Sequence, residues 1–126
     1  IAGLRVDTVW QYVVMAAFYS VIHAFLEEYY WRWFVFGQLR KQGSLGMAIV
    51  VSSLGFMAHH VLVLGFYFGW LSPATYLLSA AVAVGGAFWA WLYERSGSLY
   101  APWVSHGLVV VAIFLVGYDM VRDQLV

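Results

Sequence analysis

The chain has 126 residues, of which 64% are hydrophobic, 20% aromatic and only 10% charged, and its mean hydropathy is +0.83. A water-soluble domain of this size has too few polar side chains here to cover its surface, so the composition marks an integral membrane protein. Six basic and six acidic residues cancel, which gives no footing for nucleic acid, and the absence of Cys excludes disulfides, thiolate nucleophiles and thiolate metal sites.

The first apolar stretch runs from about Thr8 to Phe36, with Gly37 expected as its stop. Gln38 to Ser44 reads as a polar loop carrying Arg40 and Lys41. A second span is expected from about Leu45 to Gly69, with His59 and His60 in its middle. Ser72 and Pro73 suit the N-cap and first position of a third helix, from about Pro73 to Arg95. That helix carries small residues four apart, Ala81 and Gly85, Ala83 and Ala87, Gly86 and Ala90, which let helix backbones approach closely in lipid. After the polar turn 94–98 a fourth span runs from about Leu99 to Met120, with Pro102 in its first turn and His106 one turn further.

Trp10, Trp70, Tyr93, Tyr100, Trp103 and Tyr118 fall near span ends, as interfacial belts require. Arg40, Lys41 and Arg95 on one side, against Arg5 and Arg122 on the other, assign the first and third loops to the cytoplasm. The fold class expected is therefore all-α: a multi-pass transmembrane bundle of about four spans. It forms one domain over residues 1–126, compatible with being a piece of a longer protein.

Carboxylates at membrane depth are costly unless paired or facing a polar cavity, so Glu27 and Glu28 in the first span point to function. On a helix Glu28 and Arg32 share a face with the acid N-terminal, the favourable order for an ion pair. Glu27 lies about 100° round from Glu28 and is left to face something else. His23, four residues earlier on its own face, is the nearest hydrogen-bonding partner.

Counting rise per residue from one side of the bilayer puts Glu27 roughly 15 Å deep, His60 roughly 20 Å and His106 roughly 10 Å. Three ionisable groups on three spans at similar depth call for a shared polar pocket. His59 and His60 point about 100° apart, and Phe56, one turn before His60, would place a ring against its imidazole. His60 is accordingly assigned to the pocket and His59 to the helix exterior.

The ordered set Glu27-Glu28-x3-Arg32, Phe56-x3-His60 and His106 resembles the CPBP family, the CAAX-protease and bacteriocin-processing (Abi) intramembrane endopeptidases. It does so over about Ala17 to Tyr118. The resemblance implies a membrane-sunk site and a glutamate-dependent, metal-independent hydrolysis that needs no cofactor. Glu27 matches the catalytic glutamate, with Glu28 and Arg32 completing its motif; His60 and His106 match the two catalytic histidines, with Phe56 in support. Implied partners are the lipid bilayer and a membrane-associated peptide or protein of CAAX or leader type, with no nucleic acid, and the implied location is the cell membrane.

The family's Asn, sometimes Asp, four residues after the last histidine is replaced here by Val110. That departure keeps open a catalytically impaired member acting in immunity or membrane regulation. Two further readings rest on the residues alone. His23, Glu27, His60 and His106 have ligand chemistry for zinc or iron, although no His-Glu-x-x-His spacing is present. Bis-histidine haem ligation by His60 and His106 would leave both glutamates without a role.

Overall fold

A computed structural model describes residues 6–125. Four helices are long and apolar enough to cross a membrane: α1 (Val9–Gln42), α2 (Leu45–Phe68), α3 (Pro73–Ser96) and α4 (Tyr100–Val121), the last followed by a 3-10 turn at Arg122–Gln124. No strand occurs among the described residues. The protein is an all-α, multi-pass membrane bundle.

The helix starts follow from local chemistry. Thr8 caps α1 through a reciprocal pair with Gln11, the Thr8 hydroxyl accepting from the Gln11 N–H at 3.1 Å. Ser44 caps α2 by accepting from the Met47 N–H, and Ser72 precedes Pro73 at the start of α3. Gly69 at φ 98° and Gly97 at φ 66° take the left-handed backbone that ends α2 and α3.

Gly37 does not stop the first helix. Its backbone is right-handed helical (φ −59°, ψ −42°), and the helix continues to Gln42, so Gln38–Gln42 is not a loop. The Gly37 N–H bonds to the Arg32 and Phe34 carbonyls, which keeps the glycine inside the hydrogen-bonded helix. α1 is also not uniform: it passes through two π-helical stretches, Phe18–His23 and Tyr29–Phe36, on either side of an α-helical segment, Ala24–Glu28. The N–H of Ala24 reaches the Tyr19 carbonyl and that of Gly37 reaches the Arg32 carbonyl, each five residues back.

The chain packs as two units. In the first, formed by residues up to 27 and from 103 onward, the N-terminal part of α1 lies antiparallel to α4. Tyr12 donates to the Phe114 carbonyl at 2.6 Å, and Gly117 leaves room for its hydroxyl. Tyr19 stacks on Phe114 with ring centroids 6.1 Å apart. Asp119 and Arg122 pair with each other at an exposed edge.

The second unit, residues 28–102, holds the rest of α1 with α2 and α3. Its small core is Phe36, Ala48 and Ala90, with Leu39, Leu45, Ile49 and Tyr93 around it. Tyr93 packs edge-on against Phe36. The α2–α3 turn is tied by Thr75, which donates to the Gly69 carbonyl at 2.7 Å, and by Tyr76, which donates to that of Trp70 at 2.6 Å. Large apolar side chains such as Leu62, Phe66, Leu77, Val84, Leu108 and Leu115 face outward, the distribution that a lipid solvent produces.

Candidate active site

Glu27 belongs to the short α-helical segment between the two π stretches. A π turn carries an extra residue and is frequent at functional sites. α4 docks on the first of these stretches. The Trp103 indole N–H donates to the Val21 carbonyl at 2.9 Å, and Gly107 sits so close to the Ser20 carbonyl that a Cβ there would lie 2.6 Å from its oxygen. Between these two anchors stands His106.

From that position the His106 Nε2 lies 3.5 Å from Glu27 Oε1, with both side chains largely buried. His23 Nδ1 reaches the same oxygen from one turn back along α1, at 3.3 Å. An imidazole bonded to a carboxylate oxygen donates through the nitrogen that faces it: Nε2 for His106 and Nδ1 for His23. Val110, one turn beyond His106, is half-buried and offers no polar group.

In the second unit Glu28 lies 3.1 Å from Arg32, and both side chains are fully buried. The guanidinium stacks 4.6 Å from the Phe56 ring centroid and 5.7 Å from that of Trp89, an aromatic cage that favours a planar cation. Gly86 makes the cage possible, since a Cβ there would come within 3.0 Å of Phe56.

Phe56 also braces His60, whose ring lies 4.7 Å away. The His60 Nδ1 is 2.9 Å from the Phe56 carbonyl. A carbonyl only accepts, so Nδ1 carries the hydrogen and Nε2 of the neutral ring is the acceptor. His59, by contrast, is exposed.

The two adjacent acids therefore have different surroundings: Glu28 takes a guanidinium, whereas Glu27 takes two imidazoles. Among the described residues no group of three His, Asp or Glu side chains is arranged to hold a metal ion. His23 and His106 converge on a carboxylate oxygen rather than on a common vacant point.

Trp103, Gly107, Trp89 and Gly86 were not readable as site residues. Trp103 reads as interfacial, and the glycines read as ordinary small residues of a membrane helix. The π stretches have no residue signature of their own.

No curated protein and no solved structure matches the chain. The family model described as type II CAAX prenyl endopeptidase Rce1-like matches residues 9–112. That match spans most of the sequence and takes in Glu27, His60 and His106: the chain belongs to the Rce1-like family of type II CAAX prenyl endopeptidases.

Proposed function

We propose that this protein is a glutamate-type intramembrane endopeptidase of the cell membrane. In this reading it uses no metal and hydrolyses a peptide bond near the prenylated C-terminus of a membrane-associated substrate. The observation that carries the reading is the approach of His106 Nε2 to Glu27 Oε1, 3.5 Å across two helix segments remote in sequence. Family membership supports the substrate class.

Each residue then has a chemical task. Glu27 accepts one proton of a water molecule. His60, the other histidine of the family pattern, has its Nδ1–H tautomer set by the Phe56 carbonyl, which leaves Nε2 as the proton acceptor of its ring. The new C–O bond places negative charge on the carbonyl oxygen. His106 donates its Nε2–H to that oxyanion, a contribution of about 3 kcal/mol per donor. In the resting state that Nε2 faces Glu27 at 3.5 Å, and it turns to the oxyanion as the charge develops. Collapse breaks the C–N bond, and the proton held by Glu27 passes to the leaving amine. Glu28 and Arg32 hold the segment that carries the base.

Cleavage of a farnesylated CAAX-type peptide by the full chain in lipid nanodiscs tests this. Turnover that resists chelators and disappears in Glu27→Gln supports the reading; turnover undiminished in Glu27→Gln ends it. One feature favours a second reading, a binding or regulatory protein without turnover: Val110 offers no second oxyanion donor beside His106. Tight binding of the same peptide without cleavage would support that alternative.

A further inference from the structure

We propose that His23 is a positioning residue of the reaction, holding Glu27 in place during the step in which His106 turns to the substrate. The inference rests on the peptidase reading above and deepens it.

The contact itself is specific. His23 Nδ1 lies 3.3 Å from Glu27 Oε1, the oxygen that His106 also approaches, while 41% of the His23 side chain is exposed. Its ring is steadied by Tyr19, 5.0 Å away, which in turn stacks on Phe114 of α4. A half-exposed imidazole inside an apolar span is costly to keep. As a bulk-packing residue it would serve no better than a leucine.

The antiparallel register explains why this residue is needed. Tyr19 meets Phe114 and Glu27 meets His106 across the two helices, and His23 lies between Tyr19 and Glu27 on the same face of α1. Val110, one turn beyond His106, supplies no hydrogen bond, so His23 is the further imidazole at Oε1. In the resting state two imidazole N–H groups face Oε1. When His106 donates to the oxyanion, its contribution to holding the carboxylate falls away at the moment Glu27 carries the proton to be returned. His23 does not have to move, and it keeps Oε1 anchored through the step.

A role of this kind lowers kcat and spares KM, because it acts after the substrate is bound. It also depends on a donor at the Nδ1 position. An asparagine amide nitrogen falls near Nδ1 of a histidine, so Asn can substitute where Ala cannot.

The experiment compares wild type, His23→Ala and His23→Asn with Glu27→Gln as control, using the full chain in nanodiscs and a farnesylated CAAX-type peptide. For His23→Ala the expected result is a kcat lower by roughly 10- to 100-fold, with KM within about threefold and His23→Asn within about fivefold of wild type. Wild-type kcat in His23→Ala, or equal impairment of the Asn variant, overturns the proposal while an inactive Glu27→Gln leaves the peptidase reading standing. Activity retained in Glu27→Gln removes both. Histidine 15N spectra of the wild type and Glu27→Gln decide the matter independently of turnover and of the folding of any His23 variant. A protonated Nδ1 of His23 that shifts on loss of the carboxylate supports the contact, and an unshifted resonance rules it out.

Discussion

The indole of Trp103 donates to the carbonyl of Val21 at 2.9 Å, and this bond fastens α4 to the first π stretch of α1. The Val21 carbonyl also accepts from the Ala24 N–H, and its second partner lies three residues before His106. The π stretch thus serves as a docking point that sets where the imidazole stands. Gly107, on the other side of His106, lets the helices close on the Ser20 carbonyl.

Gly107→Ala is therefore expected to damage activity more than insertion. A Cβ at 2.6 Å from a backbone oxygen cannot be relieved by a side-chain rotation, so α4 must move away. A displacement near 1 Å at a reacting pair costs about 100-fold in rate. Trp103→Phe keeps the ring that packs edge-on against Phe25 and loses only the donor. Its expected cost is about 0.6 kcal/mol and at most about 1.7 kcal/mol, read by unfolding in mixed micelles, with a lower kcat in the same preparation.

Arg32 is predicted to be indispensable for folding. Removing it as Arg32→Ala leaves Glu28 in a site with no solvent access and should destabilise the protein by about 3–5 kcal/mol. Arg32→Lys should rescue only part, because an ammonium cannot lie flat between Phe56 and Trp89. The paired replacement Glu28→Gln with Arg32→Met removes both charges together and should recover most of the loss in an unfolding titration. Recovery with Arg32→Lys equal to that of the pair would show that charge alone, without the aromatic cage, sets the stability here.

Much of this was legible from residue type alone, for a physical reason. Lipid demands long apolar helices and penalises every charge, so hydropathy located four spans and the few ionisable groups inside them stood out. The cap at Ser72 has local chemistry and could be read locally. Gly37 misled because glycine adopts right-handed helical backbone as well as the left-handed backbone of helix ends, and here it takes the former. The register change at Phe18–His23 depends on bonds five residues apart, and the use of Trp103 depends on a backbone atom of another helix. Neither is encoded by composition or spacing.

Phe56 touches both Arg32 and His60, so its replacement should have two separable effects. Phe56→Leu removes the ring under the guanidinium and the ring beside the imidazole, while the Phe56 carbonyl that accepts from His60 Nδ1 belongs to the backbone and remains. The stability loss is expected at about 1–2 kcal/mol, the scale of a desolvated cation–π contact. The Nδ1–H tautomer of His60 should persist in 15N spectra. A tautomer change would mean that the ring contact, and not the carbonyl, orients the imidazole.

Val110 gives the most direct route to more activity. It lies one turn beyond His106 on α4 and is half-buried, so a side chain there points along the same flank of the helix. Val110→Asn adds an amide donor of nearly the same size and should raise kcat toward the farnesylated peptide. One oxyanion donor is worth roughly 100- to 1,000-fold, and the change leaves the Glu27–His106 approach in place. Wild-type kcat in Val110→Asn, measured with the same peptide, would mean that a side chain at this position does not reach the substrate oxygen.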